Sequence, residues 1–149
     1  MRFLFYDRVV EIQKGQSIKG VKTFSLSEEF FRGHFDKTAV VPGVIYIEAM
    51  AQLLGWLIIY SHDFKVSAIM SLIEDVTVDP YLRPGFKADI YGEIISTSGT
   101  DSLGKAWMYA DNQLIASMKR IIFTHFDQVD PQELMDRFQY YSGLAELLP

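Results

Sequence analysis

The segment Val44–Tyr60, VIYIEAMAQLLGWLIIY, constrains this chain more than any other. As a helix it is apolar on nearly every side, and it approaches the ~20 residues that a bilayer crossing needs. Glu48 and Gln52 interrupt it near the middle, and both are costly in lipid. At i and i+4 they share one helical face. A helix of this kind is either a membrane span or is wrapped by its own protein. Strand patterns over the rest of the chain can supply that wrapping. The expectation is therefore a buried core helix and no membrane span.

Two strands are predicted before it, at 3–12 and 16–26, with a turn at Lys14-Gly15. In the second, Ile18, Val21, Phe24 and Leu26 stand as apolar residues between polar neighbours, a spacing that admits a bulge at Gly20. Pro42-Gly43 opens the helix, since proline's missing N–H would be unpaired there anyway. Four strand patterns follow, at 67–78, 86–97, 103–111 and 113–124, with Asp111-Asn112 as a tight-turn pair. Lys119 and Arg120, adjacent in the last, should point to opposite faces. The tail, 130–148, reads as a helix with Asp130 as cap, Pro131 at the first position and Glu133 completing a capping box. Two strands, one long helix, four strands and a terminal helix describe an α+β fold with an antiparallel sheet packed on the long helix. One sheet covers only one side of such a helix. Tight curling or a second copy must cover the rest, and a symmetric dimer is the natural solution.

The length of 149 residues suits one domain, 1–149, and no linker-like run divides it. The chain has no cysteine, which excludes disulfides, a thiol nucleophile and cysteine-ligated metals. A net charge of −5 argues against nucleic acid as a partner. No basic region with a following apolar stretch and cleavage site opens the chain, so a soluble, cytoplasmic domain is expected.

Chemistry concentrates between Phe30 and Gln52, FFRGHFDKTAVVPGVIYIEAMAQ. His34 follows a glycine in a loop, and imidazole is the side chain that exchanges protons near neutrality. Gly43 stands where free helix N–H groups favour an oxyanion. Apolar surroundings favour the protonated form of a carboxyl such as Glu48, which suits a general acid, and Gln52 can orient it. Each element also has an ordinary explanation: a structural histidine, a satisfied buried pair, a common helix start. Together they fit proton abstraction beside a carbonyl with loss of a β-hydroxyl.

The run G-H-F-x(6)-P-G-V-x(3)-E-A-M-A-Q closely resembles the active-site segment of the 3-hydroxyacyl-acyl-carrier-protein dehydratases. FLFYDRVVEI is similar to that family's opening strand, and YLRPG at 81–85 to its loop before the third strand. The resemblance covers about residues 3–124. It implies the hotdog fold, a long central helix wrapped by a curved sheet of five to six strands, working as a homodimer or trimer of dimers. It implies His34 and Glu48 as the catalytic pair, meeting across the dimer interface. Gly43 would polarise the thioester carbonyl, Gln52 would support the acid, and Phe35 and Val44 would line the acyl tunnel. The implied substrate is an acyl chain linked through phosphopantetheine to an acidic acyl-carrier protein, with no metal or cofactor. Arg2, Arg32, Lys65, Arg83, Lys119 and Arg120 are candidates for docking that carrier. Glutamate at 48, where the isomerising branch carries aspartate, points to a dehydratase-only enzyme.

Departures from the family pattern are Asp36 and Ala39 in place of two prolines, and Phe86 where aspartate is favoured. They suggest a divergent member serving specialised lipid or polyketide-like synthesis. Two rival readings remain: a hotdog thioesterase using Glu48 to activate water, and a catalytically silent partner subunit. His62 and His125 read as surface or capping residues, and the three dispersed histidines do not make a metal site.

Overall fold

A computed structural model of the chain describes residues 4–32 and 37–144. In chain order the elements are β1 (Arg8–Gln13), β2 (Ser17–Phe24), a single 3-10 turn (Glu29–Phe31), α1 (Gly43–Ser61), β3 (Ser67–Val78), β4 (Phe86–Thr97), β5 (Asp101–Ala110), β6 (Gln113–Phe126) and α2 (Pro131–Ser142). The six strands form one antiparallel sheet in the order β1-β2-β4-β5-β6-β3. Its concave face wraps α1, and Leu53, Leu54, Leu57 and Ile58 are fully buried against it. Helix and sheet approach closely because the sheet carries glycine beneath the helix. A Cβ at Gly20 would lie 2.9 Å from Leu53, and one at Gly104 would lie 2.8 Å from Leu54. This is the hotdog architecture: the apolar helix is a core element, with ten of its nineteen residues buried by its own chain.

α2 closes the opposite side. Asp130 caps it by accepting from the N–H groups of Gln132 and Glu133. Glu133 does not complete a capping box; its carboxylate accepts from Arg137 at 2.9 Å instead. The helix stops at Ser142, where Gly143 adopts φ 72°. It therefore stops before the end of the tail helix expected to 148, whose last residues, 145–148, lie outside the described ones. Phe138, fully buried, stacks on Trp56 at 5.1 Å and packs against Phe64 and Tyr60. The helix leaves β6 beside the β3 edge, and a Cβ at Gly143 would lie 3.8 Å from Arg8 of β1, so α2 straps the open face of α1 between the two sheet edges.

Three local expectations are corrected. The bulge at the β1–β2 pair lies on β1 between Val9 and Glu11, not at Gly20. β2 therefore alternates without interruption, and its inward set is Ile18, Gly20, Lys22 and Phe24. Lys22 reaches this position because Glu28 holds its ammonium at 2.7 Å and Asp7 lies at 3.7 Å. A register shift on β6 opposite Lys105 turns both Lys119 and Arg120 outward, in place of opposite faces. The loop 81–85 leads into the fourth strand, where Phe86 packs on Phe24 with ring centroids 5.1 Å apart. The turn at Asp111-Asn112 forms as expected, with φ of 49° and 63°.

Candidate active site

The helix start is built by close packing. Pro42 is the N-cap of α1, and a Cβ at Gly43 would meet a Val78 side-chain methyl at 2.8 Å, so any larger residue there must push the Val78 side chain aside. The Val41 N–H donates to the Leu82 carbonyl at 2.8 Å, tying the helix entry to the 81–85 loop. Gly43 is the first residue of the helix, so its N–H has no intrahelical acceptor.

One turn further, Glu48 is half-buried rather than enclosed, and its Oε1 accepts from Gln52 Nε2 at 3.0 Å. Gln52 is itself fixed: its Oε1 accepts from the Phe5 backbone N–H at 2.9 Å. That bond decides which end of the amide faces Glu48. An amide whose oxygen is occupied by a main-chain donor can offer only its NH₂ to the carboxyl. The Phe5 contact was invisible in the sequence, because it joins residues 47 apart.

Glu48 and Gln52 open onto a cleft of ≈ 450 Å³ between α1 and the β3 edge. Ala51, Gly55 and Ile59 of α1 and Ala68, Ile69 and Met70 of β3 form its apolar part, and Glu48, Gln52 and Ser67 are among its polar lining. Leu134 and Arg137 of α2 also border it, a contribution that nothing in the motif announced. Val44 is 63% exposed in the first turn of α1 and does not border this cleft. His34 and Phe35 lie outside the described residues. The structure thus brings Glu48, Gln52 and the cleft together, with Gly43 five residues before Glu48 on the same helix and outside the cleft border.

Residues 1–119 match the family model of the FabA-like domain. The chain belongs to that family. Among relatives, this FabA-like chain is 36% identical over 114 residues to the 3-hydroxyacyl-[acyl-carrier-protein] dehydratase FabZ of Caldicellulosiruptor saccharolyticus, covering 76% of this chain and 81% of that one. It is 38% identical over 122 residues to the FabZ of a Nitratiruptor species, covering 76% and 82%. In fold it is similar to a chain of the dehydratase heterocomplex ApeI:P from Xenorhabdus doucetiae, with TM-score 0.67, 13% identity and 90% of each chain covered. It is also similar to a hypothetical thioesterase protein with coenzyme A from Streptococcus pneumoniae, with TM-score 0.62, 9% identity and 83% and 88% covered. α2 lies beyond the matched segment of the family model.

A second polar cluster escaped the sequence reading. His62, the C-cap of α1, and His125 on β6 meet with ring centroids 4.7 Å apart. His62 Nε2 contacts Thr97 Oγ1, Thr97 Oγ1 contacts Ser102 Oγ, and Ser102 Oγ contacts His125 Nε2, each at 2.7 Å. Ser102 is buried and the cluster does not border the cleft. No group of three or more His, Cys, Asp or Glu among the described residues could hold a metal ion.

Proposed function

We propose that this protein is a dehydratase that eliminates water from a (3R)-3-hydroxyacyl thioester to give the trans-2-enoyl thioester. The observation that carries the reading is the Glu48 carboxyl, oriented by Gln52 and bordering a cleft with an apolar wall of Ala51, Gly55, Ile59 and β3 side chains. A carboxyl placed so can deliver a proton to a departing hydroxyl beside an acyl chain. In the proposed step His34 removes the C2 proton and the electron pair forms the C2–C3 double bond. The C3–O bond breaks as Glu48 protonates the oxygen, and water leaves. The Gly43 N–H receives the negative charge that develops on the thioester oxygen. Proton return from His34 to Glu48 through solvent resets the pair.

The acting form is a homodimer in which His34 of one copy faces Glu48 of the other. Supporting this, β3 is a 12-residue edge strand paired only with β6, and it exposes Ile69 and Leu72. A long apolar edge of this kind is suited to pairing with a second chain. The acyl group arrives on an acyl-carrier protein in the cytoplasm, and Lys119, turned outward by the β6 bulge, offers it a positive charge on an acidic protein, whereas Arg120 beside it is held by Glu74 at 3.3 Å.

Complementation tests the shared site. His34→Ala and Glu48→Gln chains are each expected to be inactive on a 3-hydroxyacyl-carrier thioester. Mixed and refolded together, they should regain enoyl formation, because one site in each mixed dimer holds both intact groups. Two inactive parents that stay inactive as a verified mixed dimer would refute sharing. Release of free thiol in place of enoyl product by the wild-type chain would replace elimination by hydrolysis.

A further inference from the structure

The cleft has two ends, and they are made by different parts of the chain. Along α1 its border runs through Glu48, Gln52, Trp56 and Ile59, one stripe at helical spacing. Eleven residues separate the acid from Ile59, about 16 Å at 1.5 Å per residue. At the Ile59 end α2 lies across the helix, because Phe138 stacks on Trp56 and packs against Tyr60. Leu134, one turn before Phe138, is buried and borders the cleft. Arg137 borders it too, its guanidinium held by Glu133 at 2.9 Å.

We propose that α2 sets the acyl chain length this protein accepts, with Leu134 as the wall against which the tail ends and Arg137 as a charged stop beside it. The occupant is the hydrocarbon tail of the thioester whose C3 hydroxyl faces Glu48, so the inference rests on the dehydratase reading. The tail runs from the acid along the apolar Ala51, Gly55 and Ile59 face. A short chain ends before α2. A longer one meets Leu134 and would have to strip water from a guanidinium to pass Arg137, which is unfavourable. Because α2 is anchored through a fully buried Phe138 and a capped first turn, the wall is fixed rather than mobile.

The test compares kcat/KM for 3-hydroxybutyryl, 3-hydroxydecanoyl and 3-hydroxypalmitoyl thioesters in wild type, Leu134→Ala, Leu134→Phe and Arg137→Met. Leu134→Ala removes side-chain volume at the wall and should raise the palmitoyl-to-butyryl ratio by roughly tenfold or more, the scale of discrimination per methylene in an apolar pocket. Leu134→Phe should lower it. Arg137→Met, an exchange at a half-exposed side chain that does not threaten folding, should raise it by removing the charge. An active wild type whose ratio stays the same in all three variants overturns the proposal and leaves the dehydratase reading standing. A folded wild type that forms enoyl product from none of the three thioesters overturns the dehydratase reading, and this proposal with it.

Discussion

α1 carries polar groups at two places, and they behave differently. In its middle, Glu48 and Gln52 form a pair anchored on one side to the Phe5 N–H and open on the other to the cleft. At its end, His62 enters a chain through Thr97 and Ser102 to His125 that closes on itself. The proton count shows how tightly. Three contacts need three hydrogens, and the two hydroxyls supply one each, so one imidazole must donate from Nε2 and the other accept. His125 Nδ1 is buried with no partner. A proton there would be an unsatisfied buried donor, so His125 carries its proton on Nε2 and donates to Ser102. Ser102 then donates to Thr97, Thr97 donates to His62 Nε2, and His62 holds its own proton on Nδ1. The histidine cluster spends its hydrogen bonds on fastening the helix end to β4, β5 and β6. The acid pair keeps a carboxyl facing the cleft. Two polar clusters on one helix thus differ in where their free valences point, one inward to the sheet and one to open space, and the proposed chemistry uses the second.

The largest effect should come from the open cluster. Glu48→Gln keeps the size of the side chain and removes the proton donor, so turnover should fall on the order of 10²–10⁴-fold. The thermal midpoint and the molecular mass in solution should stay near those of the wild type. A variant that keeps most of its turnover would erase the distinction between the two places.

The closed cluster should show the reverse. Ser102→Ala breaks two of the three contacts and leaves His125 Nε2–H and Thr97 without their shared partner, which should cost about 1–3 kcal/mol in denaturant unfolding. Its kcat should match the wild type. A large loss of kcat with little loss of stability would place Ser102 in the chemistry instead.

The smallest effect is in pH dependence. Burial holds the His62 pKa below its ordinary value, His125 adds to this, and Asp63 partly opposes it. The folded state therefore favours neutral His62, and below about pH 6.5 the unfolded chain binds the extra proton more readily. Stability from this group is complete above that value and is lost as pH falls through the lower folded pKa. Denaturant midpoints at neutral and mildly acidic pH should show the decline, and His62→Gln should flatten it. An equal slope in that variant would assign the decline to other groups.

Much of this was legible one residue at a time. The apolar helix, its start at Pro42-Gly43, the Glu48–Gln52 pair and the Asp111-Asn112 turn follow from local pattern, because helical spacing and turn chemistry act over a few neighbours. Lys22 shows where local reading fails. A lysine between apolar residues looks like the solvent side of β2, yet two carboxylates from outside the strand hold it inward. Lys119 and Arg120 show the same limit: a single extra residue in the β6 register against β5 turns both outward, and register depends on the partner strand.

The sequence by itself determined that a helix apolar on all sides must be enclosed, and that one stripe of it bears an acid with an amide beside it. Tertiary structure decided the rest. It chose Phe5 to orient that amide, joined two distant histidines into a fastening, and laid α2 across the far end of the cleft. These are contacts between residues far apart in the chain, and no periodicity or spacing carries information about them. They form only when the curled sheet brings its two edges round the same helix.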